Sequence, residues 1–328
     1  MPRAFITGIT GQDGSYLCEW LLEHDYEVHG LVHRPDTLAA SNISHLVGNP
    51  AIMGKQLFLH NGAYEDATHL RRIISRARPN EFYHLAGQSS PRLSLELPES
   101  TVDSIGMATL RLLEILRDLP DPPKFLYASS SEVFGSPPHS PQDELTPLNP
   151  TTPYGAAKGF SQQMARIYRI AYGLQTCAVI LYNHESPRRP EIFVARKIAV
   201  AVARIALGQQ DTITLGNIDV HRDWGYAPDY VDAMIRILSQ PMSDDFIVAT
   251  GVSHTVREFV AEAFSVAGVS DWQDRVIIDP GLYRPADPKQ LVGDPTRLRS
   301  IGWAPSVTFH ELVGIMITAE LERLSAAP

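Results

Sequence analysis

The chain has 328 residues, of which 44% are hydrophobic and 20% charged, and its formal net charge is −9. This is the balance of a globular protein with one large α/β unit or two closely joined domains. An acidic chain without a concentrated basic patch binds a phosphate backbone poorly, so we expect no nucleic-acid partner. The sequence shows no basic-then-apolar leader and no apolar run of membrane-spanning length, so we expect a cytoplasmic location and no membrane partner.

Two cysteines, Cys18 and Cys177, are present, each within an apolar segment. A buried free cysteine behaves as a small hydrophobic residue, so both are predicted to be inert core thiols. Neither the cysteines nor the 12 histidines show the spacing of metal ligands, and we therefore expect no bound metal.

Short apolar segments alternate with amphipathic segments in the first half of the chain. The apolar segments predict strands at residues 3–8, 27–34, 56–62, 81–87, 124–130 and 175–183. The amphipathic segments predict helices at residues 14–25, 67–77 and 108–119. Continuous apolar strands separated by helices are typical of a parallel sheet covered on both faces. The predicted fold class is therefore α/β, a doubly wound, Rossmann-like parallel sheet.

The pattern is less regular after the last of these strands. A proline-rich segment at 136–153 predicts a rigid loop rather than a linker, because a strand follows it. Helices are predicted at 193–208 and 306–324, and a loop at 216–231.

Two domains are predicted from this arrangement. Residues 1–184, with 215–250 returning to them, are expected to form the dinucleotide-binding domain. Residues 185–214 and 251–328 are expected to form a smaller C-terminal α/β region that binds the substrate. No internal repeat accompanies this division.

The first predicted strand leads into a glycine-rich turn, with Gly8, Gly11 and Gly14 in a GxxGxxG pattern. Glycine allows a tight turn and a close approach of the backbone to a pyrophosphate, and the helix that follows offers free N–H groups. Its place at the first strand–helix junction favours a dinucleotide site. The alternative is a turn that only permits close packing of strand and helix.

The second predicted strand ends in His33 and Arg34 rather than in an acid. An acid would accept a hydrogen bond from a ribose hydroxyl, whereas arginine neutralises a 2′-phosphate. The sequence therefore favours NADP over NAD. Asp36, two residues further on, could accept from a ribose hydroxyl, so NAD stays possible as the cofactor. The alternative for Arg34 is a solvated charge at the strand end.

Tyr154 and Lys158 are four residues apart, so they share one face of a helix that Pro153 is suited to begin. An ammonium near a phenol favours the phenolate and is expected to lower the pKa of Tyr154. The strand at 124–130 ends in a run of serines followed by Glu132. A serine of this run would orient a reacting oxygen, and a carboxylate at Glu132 would remove a proton from carbon beside a carbonyl. The alternative for Tyr154 and Lys158 is a pair on the helix surface. The alternative for Glu132 is an acid that caps a helix or lies in a solvated loop.

With these features the chain resembles the extended short-chain dehydrogenase/reductases, and within them the GDP-mannose 4,6-dehydratases. The matching segments are ITGITGQDGSYL (6–17), YNHESPRR (182–189), ARKI (195–198), GNIDVHRDWGYAPDYVDAM (216–234) and LVGDPTRLRSIGW (291–303). The resemblance implies a catalytic group of Ser130, where threonine is usual, Glu132, Tyr154 and Lys158. It adds Gln12, Asp13 and Leu85 to the cofactor residues, beside Tyr154 and Lys158 themselves. The substrate residues that it implies are Ser89, Ser131, Asn183, Lys197, Arg222 and Arg284.

The implied reaction is a 4,6-dehydration of a GDP-sugar with NADP. The implied assembly is a homodimer or homotetramer. Three departures from the family pattern affect these expectations: Ala63 replaces an acid that reads adenine, the 33–42 loop differs, and Pro190 replaces a glycine. Ala63 affects the recognition of adenine, and the loop affects the binding of the cofactor and the assembly. Pro190 leaves GDP-manno-heptose open as the substrate. A 4-keto-sugar reductase or epimerase, and a non-catalytic NADP-binding regulator, remain as alternatives.

Overall fold

The computed structural model of the chain describes residues 1–283, 288 and 290–326. In chain order its strands are β1 (Arg3–Thr7), β2 (Glu27–Val32), β3 (Leu57–Asn61), β4 (Glu81–His84), β5 (Lys124–Ser130), β6 (Thr176–Leu181), β7 (Asn183–Glu185), β8 (Ile213–Leu215), β9 (His221–Tyr226), β10 (Phe246–Val248), β11 (Ser253–Thr255), β12 (Val276–Ile278) and β13 (Gln290–Leu291). Its α-helices are α1 (Gln12–Glu23), α2 (Ser44–Val47), α3 (Ala67–Ala77), α4 (Pro91–Glu96), α5 (Pro98–Val102), α6 (Ala108–Arg117), α7 (Pro153–Tyr172), α8 (Val194–Ala206), α9 (Ala227–Ser239), α10 (Val256–Val266), α11 (Trp272–Arg275), α12 (Thr296–Ser300) and α13 (Phe309–Ser325). Short 3-10 turns lie at Pro35–Ala40, Ser131–Val133 and Pro280–Leu282, and a π-helical turn at Asp103–Met107.

A seven-stranded sheet in the order β10-β6-β5-β4-β1-β2-β3 forms the larger part of the molecule. Its paired strands are all parallel, as the continuous apolar strands predicted. Successive residues of β1 face opposite sides, because Ala4 and Ile6 pack with α1 and α9 whereas Phe5 packs with α3, α6 and α7. The predicted doubly wound α/β fold is confirmed.

A smaller region packs beside this sheet. Strand β9 pairs with β7, β11 and β13, and β8 pairs with β12. Helices α8, α10 and α13 enclose a second apolar core that includes Trp224. The boundaries of the two predicted domains remain a prediction.

The loop predicted at 216–231 is wrong, because this segment contains β9 and the start of α9. The reason is visible in β9 itself. Arg222 and Asp223 would ordinarily mark a solvated segment, but both are buried in the small sheet. Backbone and side-chain partners from other parts of the chain satisfy their charges.

Both cysteines lie in the core, as predicted. Burial raises the pKa of each thiol to about 12, so neither forms a thiolate readily. None of the helices in the part of the chain that the structure describes has the length and apolar character needed to cross a bilayer.

Candidate active site

The glycine turn between β1 and α1 has no room for side chains. Gly8 has a φ of +76°, and a Cβ there would lie 2.9 Å from the backbone nitrogen of Ala86. A Cβ on Gly14 would overlap the carbonyl oxygen of Gly8 and lie 2.7 Å from the Cα of Ile9. Gly11 stands at the N-cap of α1, where no side chain caps the helix. The first N–H groups of α1 are therefore open to an anion, as a dinucleotide site requires.

The side chains of Gln12 and Asp13 point to the segment after β6 rather than outward. Gln12 is buried, donates to the carbonyl oxygen of His184 at 3.2 Å and accepts from the Ser186 hydroxyl at 2.8 Å. The Oδ2 atom of Asp13 lies 2.9 Å from Nε2 of His184. A cofactor contact by Gln12 would therefore come from its backbone. The sequence indicated neither partner, because each is more than a hundred positions away.

Arg34 lies at the end of β2, exposed, at the N-cap of the 3-10 turn Pro35–Ala40. Among the described residues its side chain has no hydrogen-bond or ion-pair partner, so the guanidinium is available to a ligand. Asp66, three residues after Ala63, does not replace the missing acid. Asp66 caps α3 and accepts from the backbone N–H of His69 at 2.9 Å.

A cavity of about 600 Å³ opens at the carboxyl edge of the large sheet, against the smaller region. Most of the predicted site residues line it: Asp13, Leu85, Ser89, Ser130, Ser131, Glu132, Tyr154, Lys158, Asn183, Lys197 and Arg222. Gly8, Gly11, Gln12, Gly14 and Arg34 do not belong to its lining. Arg284 lies outside the described residues. One cavity thus brings together the hydroxyl, carboxylate, phenol and ammonium groups that the sequence indicated.

Ser130 and Glu132 are placed by the end of β5. The Ser130 hydroxyl caps the 3-10 turn and accepts from the backbone N–H of Glu132 at 3.3 Å. Ser129 is buried and donates to the side-chain oxygen of Gln162 at 2.7 Å, so it has a structural contact. Gly155 in α7 lies directly against Glu132, because a Cβ at Gly155 would overlap the Glu132 carbonyl oxygen.

Tyr154 and Lys158 lie in the first turns of α7, which begins at Pro153 as predicted and is capped by the Thr152 hydroxyl. Both side chains are buried. The Lys158 ammonium donates to the carbonyl oxygen of Ala128 at 2.6 Å and lies 5.8 Å from the ring centre of Tyr154. It therefore shares a helix face with the phenol, and its hydrogen bond goes to the Ala128 carbonyl.

The lowered pKa expected for Tyr154 is not found. Burial raises the pKa of Tyr154 to about 12, while a hydrogen bond with Ser130 acts in the opposite direction. Burial also lowers the pKa of Lys158 to about 8. In this environment the cost of burying a phenolate outweighs the hydrogen bond with Ser130.

Two predicted substrate residues are held by backbone carbonyls. The Lys197 ammonium donates to Thr214 at 2.7 Å, and the Arg222 guanidinium donates to His221 at 2.7 Å and to Pro288 at 2.9 Å. Asn183 reaches the cavity from β7. These groups line the wall opposite the catalytic cluster.

The cavity also contains a cation whose role the sequence left unassigned. Arg189 lies 3.3 Å from the buried carboxylate of Glu185, and its guanidinium covers the ring of Phe193 at 3.7 Å. Its neighbour Arg188 turns away and donates to Glu19 of α1 at 2.8 Å. Both arginines stand in the segment YNHESPRR (182–189), but only the structure separates their directions.

Comparison with known proteins adds to this geometry. A family model described as GDP-mannose 4,6 dehydratase matches residues 5–316. GDP-mannose 4,6 dehydratase 1 of Arabidopsis thaliana is 46% identical over 98% of this chain and 91% of that protein. The GDP-mannose 4,6 dehydratase of Homo sapiens is 43% identical over 100% of this chain and 94% of that protein. The fold is similar to that of RMD from Pseudomonas aeruginosa complexed with NADPH, with a TM-score of 0.82, 24% identity, and coverage of 98% of this chain and 100% of that one.

Proposed function

The chain belongs to the GDP-mannose 4,6-dehydratase family, and on this premise we propose that it converts GDP-mannose to GDP-4-keto-6-deoxymannose. It is then a hydro-lyase that acts on a GDP-sugar. The observation that supports this proposal best is the position of Glu132, in the same cavity as Ser130 and Tyr154. A reaction that only oxidised or inverted C4 would have no use for a carboxylate beside that hydroxyl pair.

We propose NADP as the bound cofactor, with NAD as the less favoured choice. The cramped turn of Gly8, Gly11 and Gly14 fits a dinucleotide phosphate at the start of α1. Arg34, exposed at the end of β2, is suited to a 2′-phosphate, and Leu85 lies beside the reaction cavity. When bound, NADP would supply a hydride acceptor for C4 of the sugar and a hydride donor for C6.

Within the cavity each side chain has a task. Ser130 hydrogen-bonds the sugar O4, and Tyr154, in its phenolate form, takes the O4 proton as C4 is oxidised. Lys158, which is anchored to Ala128, keeps positive charge near the phenol. The resulting 4-ketone makes the C5 hydrogen acidic, so Glu132 can remove it. Glu132 then gives a proton to the C6 hydroxyl, which leaves as water. C5 regains a proton when C6 is reduced, and the proton that Tyr154 took from O4 supplies it.

The GDP moiety needs partners for its diphosphate and its base. Lys197 and Arg222 supply positive charge on the opposite wall, and Asn183 supplies an amide. Ser89 and Ser131 are polar contacts for the sugar. Arg284 is retained from the family resemblance. Arginine grips phosphate through two parallel donors, so Arg222 is the residue we assign to the diphosphate.

The proposal is tested by incubation with GDP-mannose and, separately, GDP-manno-heptose, followed by mass measurement of the nucleotide sugar. We expect GDP-mannose to lose one water. Loss of water from the heptose alone would assign the other substrate. A product that is an isomer of unchanged mass would indicate an epimerase. A product whose mass differs by two hydrogens would indicate a reductase. NADP binding without change to either sugar would indicate a regulator.

A homodimer or homotetramer is part of the proposal. Exposed apolar side chains on α5, the π-helical turn and α7 support it: Val102, Met107, Phe160, Ile167, Ile170 and Tyr172. Helices α5 and α7 pack against each other, so these side chains belong to adjoining elements. Clustered exposed apolar side chains indicate an interaction surface. The cytoplasmic location stays a prediction from the sequence.

A further inference from the structure

Both ring nitrogens of His184 face oxygen atoms that only accept hydrogen bonds. Nδ1 lies 2.8 Å from the carbonyl oxygen of Tyr182, and Nε2 lies 2.9 Å from Oδ2 of Asp13. A neutral imidazole donates from one nitrogen only. His184 donates both hydrogen bonds when its ring is an imidazolium and Asp13 is its carboxylate counter-ion.

This ion pair joins the first turn of helix α1 with strand β7. Gln12 strengthens the junction by donating to the backbone oxygen of His184 at 3.2 Å. The His184 ring also stacks on Tyr230 of α9 with the ring centres 4.6 Å apart. The His184 side chain is 8% exposed and that of Asp13 is 18% exposed. An ion pair so shielded from water is screened weakly and fixes the distance between the two segments.

The position of Asp13 suggests a role for its ion pair with His184 in cofactor binding. A carboxylate in the first turn of α1 lies beside the N–H groups that would receive a dinucleotide phosphate, where negative charge would repel the ligand. Burial opposes ionisation of Asp13, but the ion pair and hydrogen bond with His184 outweigh burial and hold its pKa below the ordinary value. Arg189 and Lys158 also interact with Asp13, and the buried carboxylate of Glu185 opposes them.

We infer that His184 is a positioning residue that neutralises Asp13, so that the start of α1 can accept the cofactor phosphates while Asn183 is held over the sugar. This role rests on the proposed cofactor site. It also explains why the Asp13 carboxylate faces His184. Without His184 the carboxylate of Asp13 would remain beside the phosphates, and fewer positive groups would surround it.

The test compares NADP dissociation constants of the wild type, H184Q and the double variant D13N/H184Q by titration calorimetry. Glutamine keeps an N–H in the place of Nε2 but carries no charge. We expect H184Q to bind NADP roughly tenfold more weakly, because one of the positive charges that oppose Asp13 near the phosphates is removed. The double variant should recover most of the loss, because the repelling carboxylate is gone.

Three outcomes would overturn the inference. Wild-type affinity in H184Q would show that the charge of His184 is not needed. A double variant as weak as H184Q would show a purely structural contact. Failure of the wild type itself to bind NADP would overturn the proposed cofactor together with the inference, and so is distinguishable from the other two.

A second measurement does not depend on ligand binding. In a spectrum of protein labelled with ¹⁵N at histidine, the signals absent from H184Q belong to His184. We expect two protonated ring nitrogens at neutral pH in the wild type. One unprotonated nitrogen would contradict the inference even if H184Q folds poorly.

Discussion

Gly155 allows Glu132 to reach the cavity, because the first turn of α7 lies directly against the Glu132 backbone. A Cβ at Gly155 would overlap the carbonyl oxygen of Glu132 and lie 3.1 Å from its carbonyl carbon. Backbone atoms cannot move aside as a flexible side chain can. We therefore expect Gly155→Ala to displace the turn that carries Glu132 and to lower kcat/KM for dehydration about a hundredfold, as roughly 1 Å misplacements do.

Gly159, one turn later in α7, is the matched control. A Cβ there would meet only Cδ1 of Leu148 at 3.6 Å, which is an ordinary contact. Gly159→Ala should keep near-wild-type activity, since alanine is also the better helix former. Steady-state rates of the two variants decide the matter. Equal activities would show that the close approach of α7 to Glu132 is unimportant.

Glu132→Gln tests the chemistry at the same residue. The amide keeps the size of the side chain but cannot accept the C5 proton, so water elimination should fall by a factor of about 10² to 10⁴. NADP binding should be unchanged and serves as the control for folding. The measurement is the mass of the nucleotide sugar over time. Unimpaired water loss would remove Glu132 from the proposed mechanism.

Single residues in the site also differ in how well the sequence predicted their contacts. The four-residue spacing of Tyr154 and Lys158 correctly predicted one shared helix face. It could not predict that Lys158 would bond the Ala128 carbonyl, or that burial would raise the pKa of Tyr154. Likewise the family resemblance indicated Gln12 without its partner Ser186. These contacts depend on the way distant segments pack together.

At the scale of elements, β9 is held by one buried carboxylate. Asp223 accepts from the hydroxyl of Thr250 at 2.6 Å and from the backbone N–H groups of Thr250 and Gly251, each at 2.9 Å, and of Gly293 at 3.3 Å. Asparagine would replace one accepting oxygen by a donor that faces other donors. We expect Asp223→Asn to reduce the free energy of unfolding by about 1–3 kcal/mol, measured by urea denaturation.

The ionisation of Asp223 gives that stability a pH dependence. Burial raises the pKa of Asp223 to about 6, above the unfolded value of roughly 3.9. The contribution of this group to stability is therefore full below about pH 4 and is lost as the pH rises through about 6. Asp223→Asn should lack this decline. Asp219→Asn, an exposed control paired with Arg257, should match the wild type; equal curves for all three proteins would contradict the assignment.

Strands that consist of long apolar runs could be predicted from the sequence, whereas the charged strand β9 could not. Runs such as Phe125–Tyr127 and Cys177–Leu181 can only be buried, so their strands and their parallel arrangement followed from the sequence. The charged residues of β9 favour solvent unless other segments supply partners. Their partners lie near residues 250 and 290, and no local pattern indicates such pairings.

At the scale of the whole molecule, the exposed apolar residues of α7 and its neighbours predict self-association. Ile170, 72% exposed, is a prominent member of this surface. Ile170→Glu should shift the wild-type dimer or tetramer toward monomer, as measured by size exclusion with light scattering. Met242 is 80% exposed in another part of the chain, so Met242→Glu should not change the mass. A monomeric wild type would contradict the proposed assembly.

The fold as a whole explains why one cavity can serve a reaction of several steps. The large sheet presents Ser130 and Glu132 at the end of β5, while the smaller region closes the opposite wall with Lys197 and Arg222. The sugar would therefore stay in place while C4, C5 and C6 react in turn. This geometry predicts that the hydrogen removed from C4 is returned to the same sugar.

GDP-mannose deuterated at C4 tests that central claim most directly. The product should be lighter by one water, should carry the deuterium at C6 by NMR, and should form without accumulation of reduced cofactor. Deuterium retained at C4, deuterium lost to a stoichiometric amount of reduced cofactor, or a nucleotide sugar of unchanged composition would contradict the proposed dehydration.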